Sequence, residues 1–154
     1  MKKKLIFIAS IFLFSLLVAC NRNETPDTST FNLAPDLIVN SELDGLVTMQ
    51  IEIESRTMKE LIENKSDFLI GLWNENLEYF DGENWRVVPT QEDFAFTAIL
   101  EMIADNDSFE SRLNLDWYQA PRQGLFRWRR SIFPDLYPSQ NRYIHDLIVE
   151  FMLD

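Results

Sequence analysis

Asn76-Leu77-Glu78-Tyr79-Phe80, then Asp81-Gly82-Glu83, then Asn84-Trp85-Arg86-Val87-Val88-Pro89 is the stretch on which the fold turns. Two short runs rich in aromatic and β-branched side chains flank an Asp-Gly pair, which accepts the positive φ angles of a tight hairpin turn at low cost. The two arms are therefore expected to fold back on each other as strands. Pro89 has no amide hydrogen to give a ladder and should end the second arm.

Working outward, Val47, Met49, Ile51 and Ile53 alternate with Thr48, Gln50, Glu52 and Glu54, which gives a strand one apolar face. Met58 to Glu63 fits a strand or a turn and a half of helix. Asp67 to Trp73 is a further apolar run with Phe68, Ile70 and Leu72 on one side. Phe94 to Ile103 fits helical spacing through Ala95, Ala98, Ile99, Met102 and Ile103, and strand spacing through Phe94, Phe96, Ala98, Leu100 and Met102; strand neighbours favour the strand. Arg112 to Trp117 and Leu125 to Phe133 follow, joined by a loop holding Pro121 and Gly124. Tyr143 to Leu153 closes the chain with His145, Leu147, Val149, Phe151 and Leu153 facing inward. Turn residues every 8 to 12 positions are the spacing of an all-β sandwich or barrel. Seven or eight strands in about 115 residues is the size of an immunoglobulin-type β-sandwich. No internal repeat is visible.

Upstream of this domain the character changes twice. Lys2, Lys3 and Lys4 precede Leu5 to Ala19, a run without charge broken only by Ser10 and Ser15, which is the pattern of a signal peptide. As a helix that run would span about 22 Å, short of the roughly 30 Å hydrocarbon slab of a bilayer. Asn21 to about Asp36 is polar and carries Pro26, Pro35 and several Thr and Ser residues, a composition too poor in apolar surface to offset its ordering entropy. The expected organisation is a signal peptide over residues 1–19, a flexible tether over 20–38 and an immunoglobulin-like domain over 39–154.

The 154 residues carry a net charge of −11, and without the three leader lysines 11 basic residues face 25 acidic ones, a net charge of −14. Nucleic acid is excluded as a natural partner, because phosphate backbones are bound through Lys and Arg. Cys20 is the only cysteine, so no disulfide staples the domain and its stability rests on packing.

Leu17-Val18-Ala19-Cys20 resembles the lipobox of bacterial lipoproteins. The resemblance implies that the Cys20 sulfur receives a diacylglyceryl group and that the leader is cut just before it. Two acyl chains make a stable membrane anchor where one is marginal. The ordered set Leu77-Glu78-Tyr79-Phe80-Asp81-Gly82-Glu83-Asn84-Trp85, Val88-Pro89, Leu115, Trp117-Tyr118, Gly124-Leu125-Phe126-Arg127 and Val149-Glu150-Phe151 resembles the bacterial immunoglobulin-like domain of envelope lipoproteins, over about residues 46 to 154. Phe126 stands where that pattern prefers Tyr, and Trp128 where it prefers a smaller apolar residue. The resemblance implies architecture and little chemistry, since that family is defined by its scaffold.

The candidates for chemistry are few. His145 is the only histidine and lacks a Gly-x-Ser-x-Gly elbow, so it reads as an ordinary strand residue. One His and one lipidated Cys cannot make a tetrahedral zinc site. Asp105-Asn106-Asp107-Ser108 with Glu110 invites calcium, but Glu110 occupies the loop position that needs Gly, and a polar turn is the expectation. In Arg127-Trp128-Arg129-Arg130, strand alternation sends Arg127 and Arg129 opposite to Trp128 and Arg130, so Trp128 should pack inward while the arginines pair with acids. Trp73, Trp85 and Trp117 should pack in the core or along an edge.

The sequence thus leads to a lipid-anchored envelope protein on the extracytoplasmic face. Its domain binds without catalysis and needs no cofactor, and an envelope protein or glycan is the expected partner. The rival is an envelope hydrolase, carboxylate- or calcium-dependent, drawing on Asp105, Asp107, Glu110 and Asp116. A weaker third reading is a sensor or inhibitor of a neighbouring membrane protein.

Overall fold

The computed structural model describes residues 26–39, 43–91, 100–134 and 144–154. Their elements are β1 (Val47–Glu54), β2 (Thr57–Asn64), β3 (Ile70–Phe80), β4 (Trp85–Val87), β5 (Glu101–Ile103), β6 (Ser108–Asn114), β7 (Gly124–Pro134) and β8 (His145–Leu153), with short 3-10 turns at Thr28–Thr30 and Leu115–Trp117. A three-stranded sheet in the order β1-β2-β6 packs on a five-stranded sheet in the order β4-β3-β7-β8, with β5 also pairing to β3. Every ladder is antiparallel. This is the immunoglobulin-like sandwich expected from the strand spacing, and β2 resolves the ambiguity at Met58 to Glu63 in favour of a strand.

Alternation fills the core as the sequence implies. Met58, Leu77, Phe126 and Trp128 centre one buried cluster, and Val47, Ile62, Ile70, Leu72, Ile132 and Leu147 centre a second. Two runs read separately, Asp67–Trp73 and Asn76–Phe80, join in the single strand β3, which begins at Ile70. A bulge between Trp73 and Glu75, with Asn74 at φ 28°, inserts one residue and reverses the alternation. Ile70 and Leu72 face inward before it and Leu77 after it, which is why the two halves look unconnected in sequence.

The hairpin forms where expected, but with a four-residue loop, Asp81 to Asn84, between paired Phe80 and Trp85. The Asp81 carboxylate accepts the amides of Asn84 (2.8 Å) and Glu83 (2.9 Å) and pairs with Arg86. Those hydrogen bonds, the Asn84 amide first, hold its pKa down at about 2. The run Arg112–Trp117 also differs from its reading as one strand: β6 starts earlier, at Ser108, and Leu115–Trp117 coils into a 3-10 turn capped by the Asn114 side chain. Of the strand expected over Phe94 to Ile103, only Glu101–Ile103 falls among the described strands, and residues 92–99 lie outside the described residues.

The tether reading is corrected from Phe31 onward. Phe31 is buried in the core. Asn32 O accepts the Val87 amide and the Ala34 amide donates to Trp85 O, so this segment pairs along β4. It then crosses the outer face of the five-stranded sheet, where Arg129 donates to Pro35 O (2.8 Å) and Asp36 O (3.0 Å). Ile38 clips it to β8, donating to the Asp146 carboxylate (2.7 Å) and accepting the Asp146 amide (2.8 Å). One buried aromatic and a set of partners on the sheet outweigh a composition that alone reads as flexible. Asp146 is buried for the same reason, although strand alternation places it outward.

Burial works to raise the Asp146 pKa. Hydrogen bonds from Ser131, the Ile38 amide and Arg129 outweigh it and leave the group below its ordinary 3.8. The stability it contributes is therefore complete above that ordinary value and is lost as pH falls through the lowered one. Asp146→Asn should flatten that acid limb in urea titrations and speed amide exchange at Ile38, which keeps its wild-type protection if the strap is held elsewhere. Gly71 lies under the Phe133 ring, where an added Cβ would sit 2.3 Å from a ring carbon. Gly71→Ala should cost about 1–3 kcal/mol by urea denaturation, as for overpacking of a filled site.

Candidate functional site

The basic run at Arg127 to Arg130 lies on β7, the central strand of its sheet, and alternation divides it as expected. On the outer face Arg127 pairs with Glu78 and lies over the Trp85 ring, 4.3 Å from its centroid. Arg129 pairs with Asp146 at 2.6 Å, while Ser131 donates to the other Asp146 oxygen at 2.6 Å. On the inner face Trp128 is buried and donates from Nε1 to Glu60 at 2.7 Å. Arg130 reaches the same carboxylate at 3.2 Å and also pairs with Glu75. Ser111 of β6 donates to it at 2.9 Å. The arginines are buried and each is engaged by acids, all buried except half-buried Glu75, so the cluster makes no surface patch.

The open charged surface lies on the opposite sheet. On the outer face of β1, β2 and β6 the cross-strand rows are Gln50, Leu61 and Glu110, then Glu52, Lys59 and Arg112. These six side chains line a cleft of about 520 Å³. Half-buried Leu61 forms its apolar floor, and Lys59 binds Glu52 at 3.2 Å and Glu54 at 3.9 Å. Glu110 and Arg112 are both exposed and form no ion pair among the described residues. Glu60 lies beneath the cleft floor on the same strand, tied through the sandwich to Trp128 and Arg130. This arrangement can bind an extended polar chain that carries both signs of charge.

The other acids considered from the sequence do not converge. Asp105 and Asp107 sit on the exposed turn before β6, where Asn106 has φ 54° and Asp107 accepts the Ser108 amide at 2.8 Å. Glu110 faces the cleft, and Asp116, beyond the far end of β6, pairs with Arg56 at 2.5 Å. Among the described residues no group of three or more His, Cys, Asp and Glu side chains is placed to hold a metal ion. His145 is buried at the start of β8, and burial lowers its pKa against the opposing pull of Asp44 and Asp146. Trp85 is half-buried against Phe80, and Trp73, 47% exposed, packs edge-on to the Phe133 ring, while Trp117 is 36% exposed. Cys20 lies outside the described residues, and among those residues no helix is long and apolar enough to cross a membrane.

No family model and no curated protein matches the chain. A solved structure described as the X-ray structure of Northeast Structural Genomics Consortium target SoR45 is similar over 71% of this chain and 86% of its own. Its sequence is 11% identical and the TM-score is 0.44, a likeness too loose to carry an argument.

Sequence reasoning passed over Glu60, Glu75 and Glu78. A signal for Glu60 existed: it shares its strand parity with Met58 and Ile62, and an acid inside an apolar alternation must find a partner. Glu60→Ala should destabilise the domain by about 3–5 kcal/mol in urea titrations by leaving Arg130 undercompensated. Glu60→Gln, which keeps an acceptor for Trp128, should cost clearly less.

Proposed function

We propose that this chain is a lipid-anchored envelope protein, held at the extracytoplasmic face through Cys20, whose sandwich binds an envelope protein or glycan without catalysis. The observation that carries the reading is the cleft on the three-stranded sheet. It is a shallow surface with an apolar floor and charges of both signs along its walls, on a strand braced from behind. An extended polymer meets such a surface along its length. Anchoring supports the same reading from the other end, since a basic head, a short apolar run and Leu17-Val18-Ala19-Cys20 occur in order. The negative charge of the body disfavours adhesion to anionic lipid and limits contact to partners that match the cleft.

Cys20→Ser should abolish metabolic labelling with fatty acid and release the chain from the membrane fraction; retained label would place the acyl group elsewhere. A photo-crosslinker at Leu61, on the cleft floor, should form adducts in intact cells that fall severalfold when Lys59→Glu is added. Adducts indifferent to that change would remove the cleft from the reading.

A further inference from the structure

Among the described residues β6 is an edge strand whose only ladder is with β2. Two bonds bracket that ladder: the Asn64 amide to Asp107 O at 2.9 Å and the Leu115 amide to Arg56 O at 2.8 Å. They put the odd-numbered residues of β6 in hydrogen-bonding contact with β2. Successive residues of an antiparallel strand direct their N–H and C=O groups to alternate sides. The backbone groups of Ser108, Glu110, Arg112 and Asn114 therefore point away from the sheet, and those of Glu110 and Arg112 have no partner among the described residues. The strand has no proline and no register shift, two of the devices that blunt an edge, and its outward charges are of both signs. The edge at β4, by contrast, is three residues long and covered by Asn32 to Ala34. The outward acids of β1, Glu52 and Glu54, are already engaged by Lys59.

We infer that β6 is a self-complementary edge that pairs antiparallel with β6 of a second copy of this chain, about a two-fold axis at Ser111. That inference rests on the proposed function for one thing only, the confinement of the copies to one membrane surface, which raises their effective concentration.

Hydrogen-bonding phase and charge agree in this pairing. Ser111 is the middle residue of Ser108–Asn114, so a two-fold axis there sets Glu110 opposite the second copy's Arg112 and Arg112 opposite its Glu110. Ser108 faces Asn114 in the same way. All of these are residues whose backbone groups point outward, so the side-chain match and the hydrogen-bonding phase coincide. The Glu110 and Arg112 pairs supply four backbone bonds, and on the inner face Phe109 meets Leu113. Two cross-strand ion pairs form from side chains that have none within one copy. The product is a continuous six-stranded sheet that sets two clefts side by side on one face, an isologous interface.

The test is a disulfide trap on the full acylated chain. At the axis Ser111 faces itself in a non-hydrogen-bonded pair, with Cα atoms about 4.5 Å apart, within disulfide reach. Ser111→Cys, reconstituted on phosphatidylcholine–phosphatidylglycerol vesicles and oxidised, should run at twice the monomer mass. Adding Glu110→Arg alone or Arg112→Glu alone should cut the linked fraction at least about fivefold, because attractive pairs become repulsive. Both changes together restore the match and should restore the link, as should a mixture of the two singly reversed chains. An unreversed chain that does not link, single reversals without effect, or a double reversal that fails to rescue would each overturn the pairing. Sedimentation of concentrated Cys20→Ser chains, with Ser111 kept and the same reversals, should show the same order of self-association. It is independent both of any packing loss at Ser111 and of lipidation, whose failure is seen separately as a missing acyl label.

Discussion

A single carboxylate inside the sandwich organises the rest. Glu60 projects from the three-stranded sheet into the core and meets Trp128 and Arg130 of the other sheet, with Ser111 of its own. Burying a charge costs several kcal/mol, and the pairing returns that cost only when donors surround it. Here two donors come from β7 and one from β6, so the carboxylate is satisfied only if both sheets and their register are correct. Sliding β2 by one residue would send Glu60 to solvent and bring Lys59 and Leu61 inward, losing the pair and the packing together. The network therefore specifies alignment even where it adds little net stability.

The same logic runs on the outer face of the five-stranded sheet. Arg127, Arg129, Glu78 and Asp146 would be exposed there, yet the segment from Phe31 to Ile38 crosses over them and uses Arg129 and Asp146 as its own attachment points. Charges on a sheet face thus become the fastening for a chain segment that has little apolar surface of its own. With the arginines of β7 occupied on both faces, the cleft and the β6 edge are left with Lys59 and Arg112 as their cations.

What was legible in the sequence was whatever repeats with period two or turns on a specific residue. The alternation in β1, β7 and β8, the Asp-Gly hairpin and the inward course of Trp128 all follow from that. Three features broke the period and were missed for that reason. The bulge at Asn74 split one strand into two apparent runs. Glu60 shares the register of Met58 and Ile62, which marks it as a buried acid, but its partners lie 68 and 70 residues away and cannot be named from a local window. The docked strap has a loop's composition, and its order comes from acceptors and donors on distant strands, which no local window contains. The cleft depends on the register between β1, β2 and β6, so its side chains, separated by up to 62 positions in the chain, could not be gathered from spacing alone.

Edge polarity carries a further consequence for an anchored protein. A long edge with free backbone groups invites pairing of any kind, and apolar outward side chains would make that pairing indiscriminate. β6 presents an acid and a base two residues apart instead. Antiparallel approach in one register turns both into ion pairs. A two-residue slip opposes Glu110 to Glu110 or Arg112 to Arg112, and a one-residue slip breaks the hydrogen-bonding phase. Parallel approach along the same edge turns the second copy over, so its inward Phe109, Ser111 and Leu113 fall on the charged face and no ion pair forms. The order of two side chains is thus enough to admit one geometry and penalise its neighbours, and on a crowded membrane surface selecting against wrong contacts matters as much as strengthening the right one.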